Sequence, residues 1–184
     1  MKLVVGLGNF PAKYDKTKHN VGFLAIDSFC KKNGYKLNKV NFNGTFYKGD
    51  GFIIAKPLTL MNLSGTFVKE IVEFYKISYE DILIICDDIN FKIGDFKIKQ
   101  SGTSGGQNGL RNILDLLGSD DIKRIRIGID KNKDMILADY VLSNFTADQL
   151  KILKNNVFIK TDVIIDEFIN GTGFDAIMNK YNTK

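Results

Sequence analysis

The hydrophobic pattern alternates along the chain between short apolar runs and longer segments with helical spacing. Residues 3–5 form an apolar, β-branched run that ends at a glycine turn, which is typical of a buried strand. Residues 21–29 carry apolar side chains three and four positions apart, so the pattern predicts a helix that closes at Asn33-Gly34. An apolar run over 82–86 leads into two aspartates and repeats the arrangement of a buried strand followed by a polar edge.

The remaining segments show the same two periodicities. The Asp50-Gly51 pair indicates a hairpin turn, and Thr146 with Gln149 predicts a capping box at the start of a long helix. Strands that alternate with helices predict an α/β sandwich, and the hairpin predicts a mixed, largely parallel twisted sheet flanked by helices. The further strands predicted are 35–40, 45–48, 52–55, 96–99 and 124–129, and the further helices are 67–75, 110–117, 146–170 and 175–180.

Length and composition are those of one globular domain over residues 1–184, and 44% apolar residues are enough for an ordinary core. The chain has neither the pattern of a signal peptide nor an apolar run of membrane-spanning length, so we expect a cytoplasmic protein that is not inserted in a membrane. Cys30 and Cys86 lack metal-ligand spacing and are expected to be buried free thiols. The net charge of +5 favours a polyanionic partner.

His19 is the only histidine and the first candidate for chemistry. It stands just before the first predicted helix, near the carboxyl edge of the sheet, where open α/β sheets usually bind ligands. A lone histidine is more often a surface or capping residue than a catalyst, so His19 needs support from the rest of the chain. The Gly6 to Asn9 turn is no dinucleotide site, because Pro11 stands where a third glycine is required, and the chain has no Walker-type phosphate loop.

Four polar loops follow predicted strands, and they contain His19, Asp87 and the asparagines Asn9, Asn62 and Asn108. If the strands are neighbours, these side chains meet in one cleft. A histidine beside a carboxylate is the basic element of general-base catalysis, because the carboxylate fixes the imidazole tautomer and stabilises the cation. No serine or cysteine lies in a recognisable nucleophile motif, so the nucleophile is expected to be water, which asparagines can hold.

A series of short motifs spans almost the whole chain. In order, they are Gly6-Leu7-Gly8-Asn9 with Tyr14, Thr17-Lys18-His19-Asn20, Lys56-Pro57, Met61-Asn62-Leu63-Ser64-Gly65, Asp87-Asp88, Gly105-Gly106-Gln107-Asn108-Gly109-Leu110, Arg124-Ile125-Arg126-Ile127-Gly128-Ile129 and Asp139-Tyr140-Val141-Leu142. Together they resemble the motifs of the bacterial peptidyl-tRNA hydrolases. The resemblance implies a monomeric α/β enzyme that cleaves the ester between a peptide and the 3′ ribose of tRNA. The implied partner is peptidyl-tRNA, contacted at its 3′ CCA end, acceptor stem and 5′ phosphate, and we expect no cofactor and no metal.

The resemblance also implies roles for individual residues. His19 is implied as the general base that activates water, Asp87 as the residue that orients it, and Asn9 as the group that distinguishes blocked from free aminoacyl groups. Lys99 and Arg126 match the positions that hold the tRNA 5′ phosphate, and strand alternation predicts that each lies on a polar face. The residues implied to bind the acylated 3′ end are Tyr14, Asn20, Leu60, Met61, Asn62 and Asn108.

The chain departs from the family pattern at a few positions. Gln107 stands where a histidine is usual, and a glutamine can form hydrogen bonds but cannot titrate. Phe10-Pro11 replaces the usual Pro-Gly after Asn9, Asn90 replaces an acid, and Asp130 replaces a glycine. None of these changes removes the histidine, the carboxylate or the asparagines, so we expect an active enzyme.

Two other functions remain open at this point. A non-catalytic RNA-binding relative would keep the fold and the basic surface, although a pure binder has no need of His19 and Asp87. An esterase for small acyl substrates would use the same pair, although Lys99 and Arg126 favour a substrate that bears phosphate.

Overall fold

The computed structural model describes residues 1–182. Within this range the strands are β1 (Lys2–Gly6), β2 (Lys39–Asn41), β3 (Gly44–Lys48), β4 (Phe52–Pro57), β5 (Ile82–Asp88), β6 (Phe96–Lys99) and β7 (Lys123–Gly128). The helices are α1 (Val21–Asn33), α2 (Ser64–Tyr75), α3 (Asn108–Leu117), α4 (Leu137–Val141), α5 (Ala147–Ile152), α6 (Ile159–Ile169) and α7 (Phe174–Tyr181). A π-helical stretch, Leu153–Phe158, joins α5 to α6, and 3₁₀ turns at Lys18–Asn20 and Met61–Leu63 lead into α1 and α2.

The strands form one mixed sheet in the order β2-β3-β4-β1-β5-β7-β6. The four central strands β4, β1, β5 and β7 are parallel neighbours, whereas the outer strands β2, β3 and β6 pair antiparallel. The predicted α/β class, with a mixed and largely parallel sheet flanked by helices, is therefore confirmed. Because the central strands are parallel, their carboxyl ends share one edge of the sheet, and the loops that follow β1, β4 and β5 meet there.

The sheet separates two hydrophobic cores. On one face, Val4, Ile85 and Ile127 pack in a cluster with buried side chains of α1 and α6. On the other face, Val5 and Ile84 pack in a cluster with buried side chains of α2 and α3. Each fully buried aliphatic side chain of this kind stabilises the fold by about 1.5–3 kcal/mol. Burial on both faces explains why the central strands have continuous apolar runs in the sequence.

The outer strands at both edges of the sheet are short. All three residues of β2 are exposed. The free side of β6 is covered at one point by the side-chain carboxamide of Asn182, which accepts a hydrogen bond from Ile98 N at 2.8 Å and donates one to Ile98 O at 2.7 Å. The carboxamide therefore pairs with β6 as a peptide group of a neighbouring strand would.

The predicted elements differ from the structure in three places. The helix predicted over 146–170 is divided into α5, the π-helical stretch Leu153–Phe158 and α6. The strand predicted over 35–40 is only Lys39–Asn41, because the Tyr35 N–H donates to Cys30 O at the end of α1. The sequence pattern does not predict α4, whose five residues are too few to show a helical period. The capping box of Thr146 and Gln149 is confirmed. Among residues 1–182, no helix combines the length and apolar character needed to cross a membrane.

Candidate active site

The loops at the carboxyl edge of the sheet approach one another closely at positions where only glycine fits. A Cβ on Gly22, at the start of α1, would lie 2.3 Å from Ile85 O and 2.6 Å from Leu7 N. A Cβ on Gly8 would lie 2.6 Å from the ring of Phe23. These approaches let the turn before α1 sit directly over the ends of β1 and β5, which brings His19 next to Asp87.

His19 and Asp87 form a hydrogen-bonded pair. His19 Nδ1 lies 2.9 Å from Asp87 Oδ2, and the side chains are 12% and 4% exposed. A carboxylate can only accept, so the pairing favours the tautomer in which Nδ1 carries the proton. That tautomer leaves the Nε2 lone pair free to accept a proton. The predicted meeting of these two residues is present in the structure.

Gln107 holds the second oxygen of the Asp87 carboxylate. Its Nε2 donates to Asp87 Oδ1 at 3.0 Å and lies 3.0 Å from Met61 Sδ. Its Oε1 accepts from Leu110 N at 2.6 Å and so caps the N-terminus of α3. The buried side chain is therefore fixed at both ends, and both Asp87 oxygens have partners. The sequence showed that Gln107 can form hydrogen bonds, but it did not indicate these partners.

Asn9 is held by two neighbouring segments. Asn20 Oδ1 accepts from Asn9 N at 2.8 Å, and Asn20 Nδ2 donates to Asn9 O at 3.0 Å. Met61 N donates to Asn9 Oδ1 at 2.6 Å. The Asn9 Nδ2 donor has no partner among the residues that the structure describes, so it is the part of Asn9 that a ligand can use. Asn20 and Met61, predicted as substrate-binding residues, are buried behind Asn9 and Gln107 and do not present their side chains to the cleft.

A cavity of about 370 Å³ opens beside the His19–Asp87 pair. Asn108, an exposed residue at the start of α3, also lines it. One wall is apolar and comes partly from α4, through Leu137 and Val141. Asn9, Tyr14, Leu60 and Asn62 do not line this cavity. They lie on the neighbouring loops, where Leu60 and Asn62 are exposed, Tyr14 is half-buried and Asn9 is buried.

Arg126 lines the same cavity, on the side of β7 that strand alternation predicts, but that side is covered. Its residue exposure is 5%, and its Nε lies 2.8 Å from Asp88 Oδ2. A Cβ on Gly105 would lie 2.3 Å from Arg126 Nη2, so the guanidinium packs directly against the glycine-rich segment. The register places Lys97 opposite Arg126 and the exposed Lys99 opposite Arg124. Strand alternation gives the face of a side chain but not what covers that face.

Besides Gln107, two departures from the family pattern have a visible structural setting. Asn90 N donates to Asp88 Oδ1 at 2.8 Å, so Asn90 supports the carboxylate that pairs with Arg126. Asp130 has a φ of 64°, a left-handed conformation that glycine adopts freely and aspartate tolerates better than most residues.

The two cysteines are not placed for chemistry. Both are buried and free, as the sequence predicts for Cys30 and Cys86. Burial raises the pKa of the Cys86 thiol to about 12 and that of Cys30 to about 11, so both stay protonated at neutral pH. In the part of the chain that the structure describes, no group of three or more His, Cys, Asp or Glu side chains could hold a metal ion.

The chain is similar to known proteins over its full length. A family model described as peptidyl-tRNA hydrolase matches residues 3–184. The peptidyl-tRNA hydrolase of Mycoplasmopsis agalactiae is 48% identical over 183 residues, which cover 100% of this chain and 96% of the relative. That of Mycoplasmoides gallisepticum is 44% identical over 183 residues, covering 99% of this chain and 100% of the relative. The crystal structure of peptidyl-tRNA hydrolase from Acinetobacter baumannii superposes with a TM-score of 0.90 at 28% identity, covering 100% of this chain and 95% of that one.

Proposed function

The chain belongs to the peptidyl-tRNA hydrolase family, and we propose that it frees tRNA by hydrolysing the ester between a peptide and the tRNA 3′ ribose, with His19 as the general base. The observation that carries this proposal is the His19–Asp87 pair at 2.9 Å on the wall of the cavity. The pair leaves Nε2 free beside space that an acyl group can enter. A single basic nitrogen next to a carboxylate is what the activation of water requires.

The proposed reaction has two steps. His19 Nε2 takes a proton from water while the resulting hydroxide attacks the ester carbonyl carbon, which becomes tetrahedral. The bond between that carbon and the ribose oxygen then breaks, and His19 returns the proton to the leaving 3′ oxygen. The products are a peptide with a free carboxyl group and a tRNA with a free 3′ hydroxyl. Asp87 stabilises the imidazolium between the two steps, and Gln107 keeps Asp87 in place.

Asn9 is proposed to recognise the acyl group. Its free Nδ2 can donate to a main-chain carbonyl of the peptide, because its Oδ1 is already engaged with Met61 N. Such a contact favours blocked aminoacyl groups over free ones, which lack the additional peptide unit. Asn62 and Asn108, both exposed, and the neighbouring Tyr14 and Leu60 complete the proposed site for the acylated 3′ end.

The proposed tRNA contact lies beyond the cavity, along β6. Lys99 is exposed there, and Lys97 stands opposite Arg126 in the sheet. We propose that these lysines, with the Arg126 guanidinium behind them, receive the 5′ phosphate and acceptor stem, since contacts of this kind position a nucleic acid without reading its sequence. We further propose that the enzyme acts as a monomer in the cytoplasm.

The test compares deacylation of N-acetyl-aminoacyl-tRNA and unblocked aminoacyl-tRNA. We expect cleavage of the blocked substrate only, and a loss of about 100-fold or more in kcat/KM for His19→Ala, which is the usual effect of removing a general base. An N-acetyl amino acid methyl ester serves as the control for a small-substrate esterase, and EDTA should leave the rate unchanged. Absence of cleavage of the blocked tRNA, or a His19→Ala variant of normal rate, would refute the proposal.

A further inference from the structure

Lys18 is a buried ammonium with no carboxylate partner. The residue is 5% exposed, and within residues 1–182 no Asp or Glu oxygen lies within 4.0 Å of its Nζ. Its acceptors are the hydroxyl of Ser143 and the main-chain carbonyl of Asn144, each at 2.9 Å. Lysines are almost never fully buried unless paired, because removing the charge from water is unfavourable. A lysine kept in such a place therefore needs a structural reason.

Aromatic rings complete the surroundings of this ammonium. The Nζ lies 4.8 Å from the ring centre of Tyr140 and 5.7 Å from that of Phe145, within the range of cation–π attraction. Ser143 Oγ, while accepting from Lys18, donates to Tyr140 O at 2.6 Å. Burial lowers the pKa of Lys18 from its ordinary value. Two oxygens and two rings thus replace the water that the ammonium has lost.

All four of these partners belong to α4 or to the segment just after it. Tyr140 lies in α4, and its hydroxyl donates to Ile129 O at 2.7 Å. Main-chain bonds run beside the side-chain contacts: Lys18 N donates to Ser143 O at 3.0 Å, and Phe145 N to Lys16 O at 2.9 Å. Because α4 has only five residues, its position depends on these tertiary contacts and not on its own helical stability.

The 3₁₀ turn that carries Lys18 directs three consecutive side chains to three parts of the site. His19 bonds to Asp87 at the end of β5, Asn20 bonds to Asn9, and Lys18 bonds to the segment after α4. α4 supplies Leu137, Ala138 and Val141 to the cavity wall. We propose that Lys18 is a positioning residue that fixes the α4 wall of the cavity relative to His19 and so determines how well the acylated 3′ end is held.

The test uses Lys18→Met, which keeps the length and apolar stem of the side chain but removes the ammonium. We expect KM for N-acetyl-aminoacyl-tRNA to rise about fivefold or more while kcat changes less than about twofold, because binding is weakened and the His19–Asp87 pair is retained. Lys18→Arg, which can still donate to both oxygens and lie against the rings, should bring KM back to within about twofold of wild type. Lys160→Met, at an exposed position on α6, is the matched control and should leave both parameters unchanged.

A second measurement does not depend on activity. Amide hydrogen exchange in Lys18→Met should become faster over residues 137–145 and remain unchanged over residues 82–88. The KM measurements rest on the proposed hydrolysis. If the wild-type protein does not cleave N-acetyl-aminoacyl-tRNA, the proposed function fails, and amide hydrogen exchange alone then tests the role of Lys18.

Three results would overturn the role of Lys18. They are an unchanged KM with unchanged exchange, faster exchange over the whole chain together with loss of kcat, and failure of arginine to restore KM. If Lys18→Met does not fold, Ser143→Ala takes its place, since it removes one acceptor and keeps the ammonium. That variant should raise KM about twofold to threefold with the same local change in exchange, and an unaltered KM and exchange would equally refute the inference.

Discussion

Replacing Asp162 with asparagine is expected to stabilise the protein at neutral pH. Asp162 lies in α6 with 5% residue exposure, facing Ser28 of α1. Ser28 Oγ donates to Asp162 Oδ2 at 3.0 Å, whereas the buried Oδ1 has no partner in the described part of the chain. Burial raises the pKa of this carboxyl from 3.8 to about 6, against the opposing effects of the Ser28 hydrogen bond and nearby Lys32.

The sign of the pH dependence follows from the raised pKa. Between about pH 4 and pH 6 the folded state keeps a proton that the unfolded state has lost, so the free energy of unfolding falls as the pH rises through this window. A shift of about two pK units corresponds to about 3 kcal/mol of lost stability above pH 6. Asparagine does not titrate, so the free energy of unfolding of the variant does not fall for this reason as the pH rises.

Urea unfolding of wild type and Asp162→Asn at pH 4.5 and pH 7.5 tests the prediction. The stability difference between the two proteins should favour the variant by about 2 kcal/mol more at pH 7.5 than at pH 4.5. Ser28→Ala is the companion variant, and it should destabilise more at pH 7.5, where its hydroxyl supports a charged carboxylate. Parallel pH profiles for wild type and Asp162→Asn would refute the reasoning.

Two further changes test the site and one of its supporting loops. Gln107→Leu removes a hydrogen-bond donor to the Asp87 carboxylate. Hydrogen bonds to charged groups contribute about 1.5–3 kcal/mol, so kcat/KM should fall about 10- to 100-fold. An unchanged kcat/KM would show that Asp87 needs no second partner. Asp130→Gly removes the steric cost of a Cβ in a left-handed backbone conformation, so the free energy of unfolding in urea titrations should rise by about 0.5–1 kcal/mol. A lower stability would mean that the aspartate side chain stabilises this turn.

The sequence was informative about the class of fold and about which residues meet, for a simple physical reason. Buried parallel strands require continuous apolar runs, so β1 and β5 are visible in the sequence, and their polar ends must lie at one edge. The meeting of His19 and Asp87 needs only the further condition that these two strands are neighbours. α4 gave no comparable signal, because five residues do not establish a period.

The roles of several polar residues could not be predicted, because they depend on what covers a face. The alternation of Arg124 and Arg126 with isoleucines gives their side of β7 correctly. The glycine-rich segment and Asp88 cover that side, so the arginines are buried there. Which lysine of β6 stands opposite Arg126 depends on the strand register, and alternation alone does not determine it. The role of Asn20 could not be predicted either, because only the folded loops show that its side chain bonds to the backbone N–H and carbonyl of Asn9.

The pairing of Asn182 with Ile98 also bears on the order in which the protein can be completed during synthesis. The two residues are separated by 84 positions, so β6 can pair with β7 long before its other side is covered. Until residue 182 is in place, the amide and carbonyl of Ile98 lack these partners at the outer edge of the sheet. A chain without this contact offers another chain a place to add a strand beside β6, and the Asn182 carboxamide occupies that place.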